Sequence, residues 1–398
     1  MTRSLEDGPI NFGCFMAPFH KMGISPTVLF ERDLELIERA DKLGFQEAWV
    51  GEHHSGGHEP IGSPELFMAA AAMRTQTIKL GTAVNSLPYH NPFTLASRLT
   101  QLDHLSHGRA IMGFGPGQLS SDAHMLGIEV SRQRDMMLEA AEVIVRLMHG
   151  EVVTAKTDWF DLRDAQLQVR PYQVPTMDMV VAAVTSPSGP RTAGRLGIGM
   201  INLAATSPPS FEALREHWAI CEREAEQAGV TVDRESWRLT AIMHLAETEE
   251  QARADCAYGF EEIWRYLGEV SPLPTSDPNK GWEELLDEAI ESGFIIVGTP
   301  DKAVELIRKL AKQTGGFGSF IMNLTDFADF DARLKAVELF AQYVIPEFRG
   351  QMDTMRRSHK WVLGEKDDEG TVWKTQTMDA LAQTAEQYKQ ETGAPAGA

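Results

Sequence analysis

Short apolar runs alternate with longer amphipathic stretches along residues 10–350, and this pair is repeated eight times. The apolar runs lie at residues 10–15, 45–50, 78–84, 109–114, 177–184, 198–204, 237–245 and 317–324. Runs of this length suit buried strands, and the stretches between them carry apolar side chains at helical spacing. Eight successive strand–helix units with no interior linker favour one closed parallel barrel over two doubly wound domains. The sequence therefore predicts an α/β fold, namely a (β/α)8 TIM-type barrel.

Three segments depart from this rhythm. Residues 151–173 alternate apolar and polar side chains, a pattern that predicts a β-hairpin excursion. Residues 271–281 contain three prolines and predict a loop or mobile insertion, which we expect to help cover the substrate pocket of the barrel. Residues 351–398 contain a charged turn and a weak helix at 377–391, and they predict a C-terminal extension that either wraps a neighbouring subunit or stays partly disordered. The barrel domain is accordingly assigned to residues 1–350.

Charge and cysteine content exclude several classes of partner. The formal charge of −20 argues against nucleic acid or an anionic membrane, because phosphate binding requires clustered Lys and Arg. The three cysteines are widely spaced and odd in number, so neither a disulfide framework nor a cysteine metal site is predicted. No stretch approaches the roughly 20 apolar residues that cross a bilayer, and the N-terminus lacks an apolar signal core. We therefore expect a cytoplasmic protein.

Histidines follow the second apolar run, at the rim where such a barrel carries its function. Glu52, His53 and His54 come directly after Gly51, the residue that follows this run, and His58 lies a few residues further on. Imidazole and carboxylate bind metals, but adjacent strand residues point to opposite faces, so His53 and His54 do not readily share one ion. No metal site is predicted. A single histidine with a pKa near neutrality could act as acid or base, and a structural hydrogen-bonding role is the alternative.

The loop after the fifth apolar run has the composition of a phosphate site. Residues 185–191 read Thr-Ser-Pro-Ser-Gly-Pro-Arg and precede a short helix. Hydroxyls, backbone N–H groups and an arginine at the positive end of a helix suit a phosphate, although a proline-stiffened N-cap explains the same residues. The glycines of residues 113–117 lack the spacing of a P-loop or of GxGxxG. They predict either close backbone approach to something flat or bulky, or a tight turn.

Several motifs occur in a characteristic order along residues 10–350. They are LGFQEAWVGEHH (43–54), KLGTAV (79–84) with LPYHNP (87–92), LDHLSHGR (102–109) leading to GFGPG (113–117), VGTPD (297–301) and ELFAQYVIPEF (338–348). Together they resemble the bacterial luciferase-like, flavin-dependent monooxygenase family. The Ser-Pro-Ser-Gly-Pro loop and the closing segment are similar to the limonene-monooxygenase-like branch.

The resemblance implies a barrel that binds reduced FMN delivered by a separate flavin reductase, a transient partner. Molecular oxygen would then form a flavin 4a-hydroperoxide, which transfers one oxygen atom to a small, mostly apolar substrate. The first histidine of the Glu-His-His motif maps onto His53, the expected catalytic base, with a pKa near the working pH. The flavin ring is expected at residues 82–85, often beside a non-proline cis peptide. The cofactor-binding residues that the resemblance implies are Thr82, Ala83, Val84, Asn85, Gly115, Arg134, Ser186, Ser188, Gly189 and Arg191.

Two positions depart from the family pattern. Pro116 stands where luciferase has a phosphate-binding arginine, and Gly115 stands where it has a cysteine. Arg134 and Arg191 are the expected replacements for the missing phosphate contact. A dry pocket needs an apolar wall, since water would decompose the oxygenated flavin. The candidates for that wall, or for ordinary core packing, are Phe15, Met16, Phe19 and Phe114.

Two other functions stay open at this point. The same barrel serves deazaflavin-dependent oxidoreductases, which transfer hydride instead of activating oxygen, and flavin-binding homologues without catalysis. The sequence does not specify the substrate, nor does it separate hydroxylation from epoxidation or Baeyer–Villiger insertion. The family's habits imply a homodimer or a larger homo-oligomer.

Overall fold

Eight parallel strands close into a barrel in the computed structural model, which describes residues 10–16, 19–271, 275–364, 366–367 and 370–393. The strands are β1 Asn11–Met16, β2 Glu47–Val50, β3 Lys79–Thr82, β4 Ala110–Gly115, β5 Asp178–Ala183, β6 Gly199–Asn202, β7 Trp237–Leu245 and β8 Ser319–Leu324. Each strand pairs in parallel with its successor, and β8 pairs with β1 to close the ring. The predicted TIM-type barrel is confirmed.

Helices connect the strands. They are α1 Pro26–Lys42, α2 Pro64–Arg74, α3 Pro92–Leu105, α4 Ser120–Met125, α5 Gln133–Met148, α6 Ser188–Leu196, α7 Pro208–Ala228, α8 Glu249–Asp255, α9 Phe260–Val270, α10 Trp282–Glu291, α11 Pro300–Thr314, α12 Phe330–Leu339, α13 Ile345–Arg349, α14 Asp353–Gly364 and α15 Val372–Thr392. Five of them, α1, α2, α3, α7 and α11, begin with proline, whose missing N–H costs no intrahelical hydrogen bond there. Over the part of the chain that the structure describes, no helix combines the length and apolarity needed to cross a membrane.

The elements differ from the sequence prediction at several places. The predicted strand at 78–84 is shorter: β3 ends at Thr82, the Ala83–Val84 peptide bond is cis, and Asn85–Ser86 then pairs with β4. Ile295–Gly298 is a strand that pairs with β7 and was not predicted. The predicted hairpin is present as Val153–Lys156 paired with Asp161–Ala165. Of the predicted loop at 271–281, residues 272–274 lie outside the described residues, and residues 275–281 are irregular.

One apolar cluster lines the inside of the barrel. Its buried members are Phe15, Trp49, Ala83, Ile111, Val180, Ile201 and Ile321, and Phe19, Ala182 and Leu203 pack against them. Phe15 and Phe19 thus lie where a pocket wall was predicted. Met16 and Phe114 are buried outside this cluster, because successive side chains of a strand point to opposite faces. The alternative, ordinary core packing, therefore describes these two residues.

A buried ion-pair network occupies another part of the barrel. Arg238 of β7 donates from Nε to Glu47 of β2 at 3.1 Å and from Nη2 to Asp178 of β5 at 2.8 Å. Trp49 donates from its indole to the same Glu47 at 3.0 Å. Because a buried charge is tolerated only with partners of this kind, we assign this network to the structure of the barrel and not to catalysis.

Residues from Pro346 onward form a second compact unit. The predicted weak helix at 377–391 is longer, as α15, and α14 was not predicted. A short antiparallel pair, Lys366–Asp367 with Gly370–Thr371, connects the two helices. Neither helix has a buried side chain, and the rings of Trp361 and Trp373 pack with centroids 4.6 Å apart. Residues 365, 368–369 and 394–398 of the predicted extension lie outside the described residues.

Candidate active site

His53 lies just beyond β2, between two buried carboxylates. Its Nε2 is 3.0 Å from Glu59 Oε2, and its Nδ1 is 3.3 Å from Asp122 Oδ2. Glu59 belongs to the same loop, which the hydrogen bond from His53 N to Ile61 O closes at 3.1 Å. Asp122 comes from α4 and also accepts hydrogen bonds from His54 N and the Ser55 hydroxyl. The ring is therefore fixed on both sides.

This environment determines the charge of His53. Burial alone would lower the pKa of His53, but the hydrogen bonds and charges of Asp122 and Glu59 outweigh it and raise the pKa to about 9. Burial would likewise raise the pKa of Asp122, whereas hydrogen bonds from His53 and Ser55 lower it. A shift in this direction favours the protonated ring. This pKa lies above the neutral range that the sequence predicted, because the two carboxylates that raise it are not part of the Glu-His-His motif.

His54 belongs to a different polar cluster. Its Nε2 is 2.9 Å from Oε1 of the buried Glu52, which also receives His90 Nε2 at 2.8 Å. The backbone N–H of Ser86 donates to Glu52 Oε2 at 2.7 Å. Burial would raise the pKa of Glu52, but these three hydrogen bonds lower it. His53 and His54 thus bind separate carboxylates, as expected from their alternation along the chain, and within the described residues no cluster could hold a metal ion.

The residues predicted to meet the flavin ring differ in what they offer. The Thr82 hydroxyl donates to Gly113 O at 2.8 Å and accepts from Gly113 N at 3.0 Å, so it is committed to the barrel. Ala83 belongs to the apolar cluster inside the barrel. A Cβ added to Gly115 would lie 3.1 Å from Val84 Cγ2, so these two residues are in contact.

Asn85 contributes a polar group to the same region. It is fully buried and donates from Nδ2 to Glu65 at 3.3 Å. Its Oδ1 has no hydrogen-bond partner among the described residues. Because a buried polar atom without a partner is costly, this amide is the polar group at residues 82–85 that a bound ligand could satisfy.

A cavity of about 230 Å³ lies at the start of α6. Its lining includes four predicted residues, Arg134, Ser186, Ser188 and Arg191, and also Leu138, Pro187, Thr192 and Arg195. Gly189 is not part of the lining: its Cα packs on β5, where an added Cβ would lie 2.6 Å from Ala183 Cβ. The structure thus brings the predicted arginines and serines together, and it gives Gly189 a packing role.

Positive charge is concentrated at this cavity. Arg191 and Arg195 each bind Glu224 through Nε, at 3.1 and 3.0 Å, so their Nη nitrogens take no part in these ion pairs. Arg134 adds a third guanidinium at the start of α5. The first N–H groups of α6 add the positive end of the helix dipole. The arrangement suits a dianion such as a phosphate monoester.

The α9 segment packs on the loops after β1 and β2. The Tyr266 ring packs at a tilt against His58 with centroids 4.3 Å apart, and it makes an edge contact with Phe19 at a centroid distance of 6.3 Å. Glu262 accepts a hydrogen bond from Met22 N at 2.9 Å, and Lys21 donates to Tyr258 O at 2.7 Å. These contacts pack α9 and the turn before it against the loops that follow β1 and β2.

A larger cavity, of about 400 Å³, lies elsewhere and contains none of the predicted site residues. It is lined by Pro88, Tyr89, Leu126, Gly127, Ile128, Glu129, Arg132, Met136, Asp158 and Trp159. His53 lines neither cavity. The larger one also contains a bidentate ion pair between Arg132 and Asp158.

Sequence reasoning missed Glu59, Asp122, Arg195 and Tyr266. Arg195 follows Arg191 by four positions and therefore shares its helix face, a signal that was available. Asp122 is 69 residues from His53, and no sequence pattern connects the two. Glu59 and Tyr266 become neighbours of His53 only through the loop and the packing of α9.

Comparison with known proteins agrees with this geometry. A family model described as luciferase-like monooxygenase matches residues 10–316. Limonene 1,2-monooxygenase of Rhodococcus erythropolis is 49% identical over 356 residues, which are 89% of this chain and 91% of that protein. The 4-hydroxyprotoasukamycin monooxygenase of Streptomyces nodosus subsp. asukaensis is 41% identical over 360 residues, which are 89% of this chain and 96% of that protein.

A solved structure shares the fold over the same region. It is the oxygenating constituent of 3,6-diketocamphane monooxygenase from Pseudomonas putida, a type II Baeyer–Villiger monooxygenase in complex with FMN. The TM-score is 0.70 at 25% identity, covering 85% of this chain and 99% of that chain. The family match over more than half of the sequence and the high identity to named monooxygenases show that this chain belongs to the luciferase-like monooxygenase family.

Proposed function

We propose that this protein is a two-component, FMN-dependent monooxygenase that inserts one atom of dioxygen into a small, mostly apolar molecule. The observation that carries the proposal is the cavity at the start of α6, where Arg134, Arg191 and Arg195 converge. Three guanidiniums line this cavity, and Arg191 and Arg195 share a single carboxylate, Glu224, so the excess of positive charge favours a bound anion. FMN carries such an anion in its phosphate.

The residues present fit FMN at both ends of that molecule. The phosphate matches the arginine cavity, with Ser186 and Ser188 supplying hydroxyls. The flat ring would lie against the backbone at Ala83 and Val84, and Gly115 leaves room for the Val84 side chain, which an added Cβ would approach to 3.1 Å. The buried Asn85 Oδ1, which has no partner in the described part of the chain, could accept a hydrogen bond from a ring N–H. Thr82 is not part of this set, because its hydroxyl is used by Gly113.

Reduced FMN, when bound, supplies two electrons, so that one oxygen atom of dioxygen enters the substrate and the other leaves as water. The protein's own residues then have three tasks. Phe15 and Phe19, with the apolar interior, exclude water. Arg191 and its neighbours hold the phosphate, and His53 places a fixed positive charge at the rim. His53 is thus the residue to which we assign the catalytic role.

Reduced FMN would come from a separate flavin reductase. The similar diketocamphane enzyme is described as the oxygenating constituent of its system, which supports a reductase on another chain. The limonene enzyme, at 49% identity, supports a neutral, apolar substrate of comparable size. We therefore choose limonene as the first probe and a diketocamphane as the second.

The experiment supplies purified full-length protein with reduced FMN, an FMN reductase, ¹⁸O₂ and limonene. We expect a product with one ¹⁸O atom, and its structure separates epoxidation, hydroxylation and Baeyer–Villiger insertion. His53→Ala should abolish turnover while FMN affinity and the fold remain. His149→Ala, at an exposed position on the C-terminal side of α5, is the matched control.

Two outcomes would contradict the proposal. Anaerobic turnover with a reduced deazaflavin, without ¹⁸O incorporation in the aerobic assay, would identify a hydride-transferring oxidoreductase of the same fold. Tight FMN binding with no product from either probe and no FMN-dependent oxygen consumption would identify a flavin-binding protein without catalysis. Full activity of His53→Ala would remove His53 from its assigned role.

A further inference from the structure

Glu59 faces His53 from within the same loop, and its side chain is buried. The carboxylate is 3% exposed and lies 3.0 Å from His53 Nε2, on the opposite side of the ring from Asp122, which is 1% exposed. The hydrogen bond between His53 N and Ile61 O closes the loop and fixes the approach of Glu59. Two buried anions therefore contact the two nitrogens of one imidazole.

When both carboxylates are ionised, this geometry favours one charge state of the ring. A neutral imidazole has one N–H and one lone pair. If His53 were neutral, one of its nitrogens would direct a lone pair at a carboxylate oxygen, a repulsive contact in a buried site. The doubly protonated ring instead donates to both carboxylates, in charge-assisted hydrogen bonds.

We propose that Glu59 is a positioning residue that, opposite Asp122, orients His53 and keeps both ring nitrogens protonated, so that His53 serves the reaction as a cation and not as a neutral base. The catalytic part of this inference rests on the proposed monooxygenase function, whereas the protonation state does not. The raised pKa of His53, about 9, agrees with the geometry.

Three other titratable groups, Asp122, Tyr266 and His54, lie around His53 and its loop. Asp122 reaches it from α4, and Tyr266 reaches the loop from α9. The Tyr266 hydroxyl is buried, and no atom of the described residues lies in hydrogen-bonding geometry with it. Burial and then the charges of Glu59 and Asp122 raise the pKa of Tyr266, so the phenol stays neutral. The hydrogen bond from the adjacent His54 to Glu52 raises the pKa of His54.

The first test measures the proton on His53 directly. Full-length protein labelled with ¹⁵N-histidine is titrated without flavin from about pH 6 to pH 10, and long-range ¹H–¹⁵N spectra report the protonation of each ring. The His53→Gln variant assigns the signal. We expect His53 to be doubly protonated at neutral pH with a pKa of about 9. Glu59→Gln should lower that pKa by about 1–2 pH units, because it removes one adjacent negative charge and keeps the shape.

Two further variants keep this test decisive. Glu262→Gln is the matched control, because that carboxylate lies 4.0 Å from His58 and does not contact His53; it should leave the His53 pKa in place. Asp122→Asn should lower the pKa as Glu59→Gln does, and it replaces Glu59→Gln if that variant does not fold. A neutral His53 at pH 7, or an unchanged pKa in the folded carboxylate variant, would overturn the proposal.

The second test separates a cation from a base by the direction of the pH profile. If His53 acts as a cation, kcat/KM should be constant near neutrality and fall as pH rises through about 9. Glu59→Gln should move this decrease to lower pH, and Glu59→Asp should restore part of the shift. A rate that instead rises toward pH 9 would identify a neutral base. Absence of turnover would contradict the proposed function and leave the result of the NMR titration unaffected.

Discussion

Replacing His20 with glutamine should destabilise the barrel strongly at pH 6.5 and far less above pH 9. His20 is buried in the loop after β1, with Nε2 2.9 Å from Asp33 of α1 and Nδ1 3.2 Å from Asp326, which follows β8. Arg333 of α12 is 2.6 Å from the other oxygen of Asp326. His20→Gln leaves Asp326 with Arg333, but it replaces the cation beside the buried Asp33 with a neutral amide. An uncompensated buried charge of this kind costs about 3–5 kcal/mol.

The pH dependence follows from the pKa of His20. Burial would lower this pKa, but hydrogen bonds to Asp326 and Asp33 and their charges raise it to about 9. Because the folded-state value exceeds the unfolded value of about 6.5, the stabilisation is complete below pH 6.5 and is lost as pH rises through 9. The interval of about 2.5 pH units corresponds to roughly 3 kcal/mol at about 1.4 kcal/mol each. The variant lacks this contribution at every pH.

Equilibrium urea unfolding of the native protein and of His20→Gln at about pH 6.5 and pH 9.5 measures the difference. We expect the gap in unfolding free energy to shrink by about 3 kcal/mol between the two pH values. His53 titrates in the same range but is present in both proteins, so it cancels. His149→Gln, at an exposed site, should match the native protein throughout. A gap that stays constant with pH would refute the assignment of a protonated His20.

The remaining predictions concern the flavin site and the substrate. Arg191→Ala should weaken FMN binding about 10- to 100-fold, because it removes a charge-assisted contact to the phosphate, and it should leave the binding of riboflavin unchanged. Fluorescence titration measures both affinities, and the exposed Arg223→Ala is the control that should change neither. Gly189→Ala should cost about 1–3 kcal/mol in urea unfolding, because its Cβ would lie 2.7 Å from Ala182 O. Equal loss of affinity for FMN and riboflavin would contradict the prediction for Arg191. An unchanged free energy of unfolding in Gly189→Ala would contradict the prediction for Gly189. A neutral terpene should have a lower KM than a carboxylate analogue of the same skeleton, and Glu59→Gln should reduce the difference between the two KM values. Equal KM values for the two compounds in the native protein would contradict this prediction.

The sequence predicted the barrel because its signal is local and repeated. Each strand is a short apolar run followed by a helical period, and errors in single boundaries do not change the order of eight units. Ile295–Gly298 escaped because a run of four residues between two helices carries little periodic signal. The interior position of Phe15 and the exterior position of Phe114 depend on which face of each strand is turned inward. That choice is made by closure of the barrel, which no single strand encodes.

The candidate site was predictable only where one segment supplies several groups. The serines and Arg191 come from consecutive residues around the start of α6, so composition alone indicated a phosphate site. The charge of His53, in contrast, depends on Asp122, which is 69 residues away. A prediction that used only the Glu-His-His motif assumed an ordinary imidazole. The distances of 3.0 and 3.3 Å to two buried carboxylates change its chemistry from base to cation.

The charges of His53, Glu59 and Asp122 also affect which substrates can bind at the rim of the barrel. At neutral pH the group of His53, Glu59 and Asp122 carries one positive and two negative charges, so its net charge is −1. The interior beside it is apolar, with Phe15 and Phe19, and offers an incoming anion no counter-charge. The three guanidiniums of Arg134, Arg191 and Arg195 line the cavity of about 230 Å³, where a phosphate would bind them. Negative charge is thus taken up at the cofactor end and repelled at the rim, which favours a neutral, apolar substrate on electrostatic grounds.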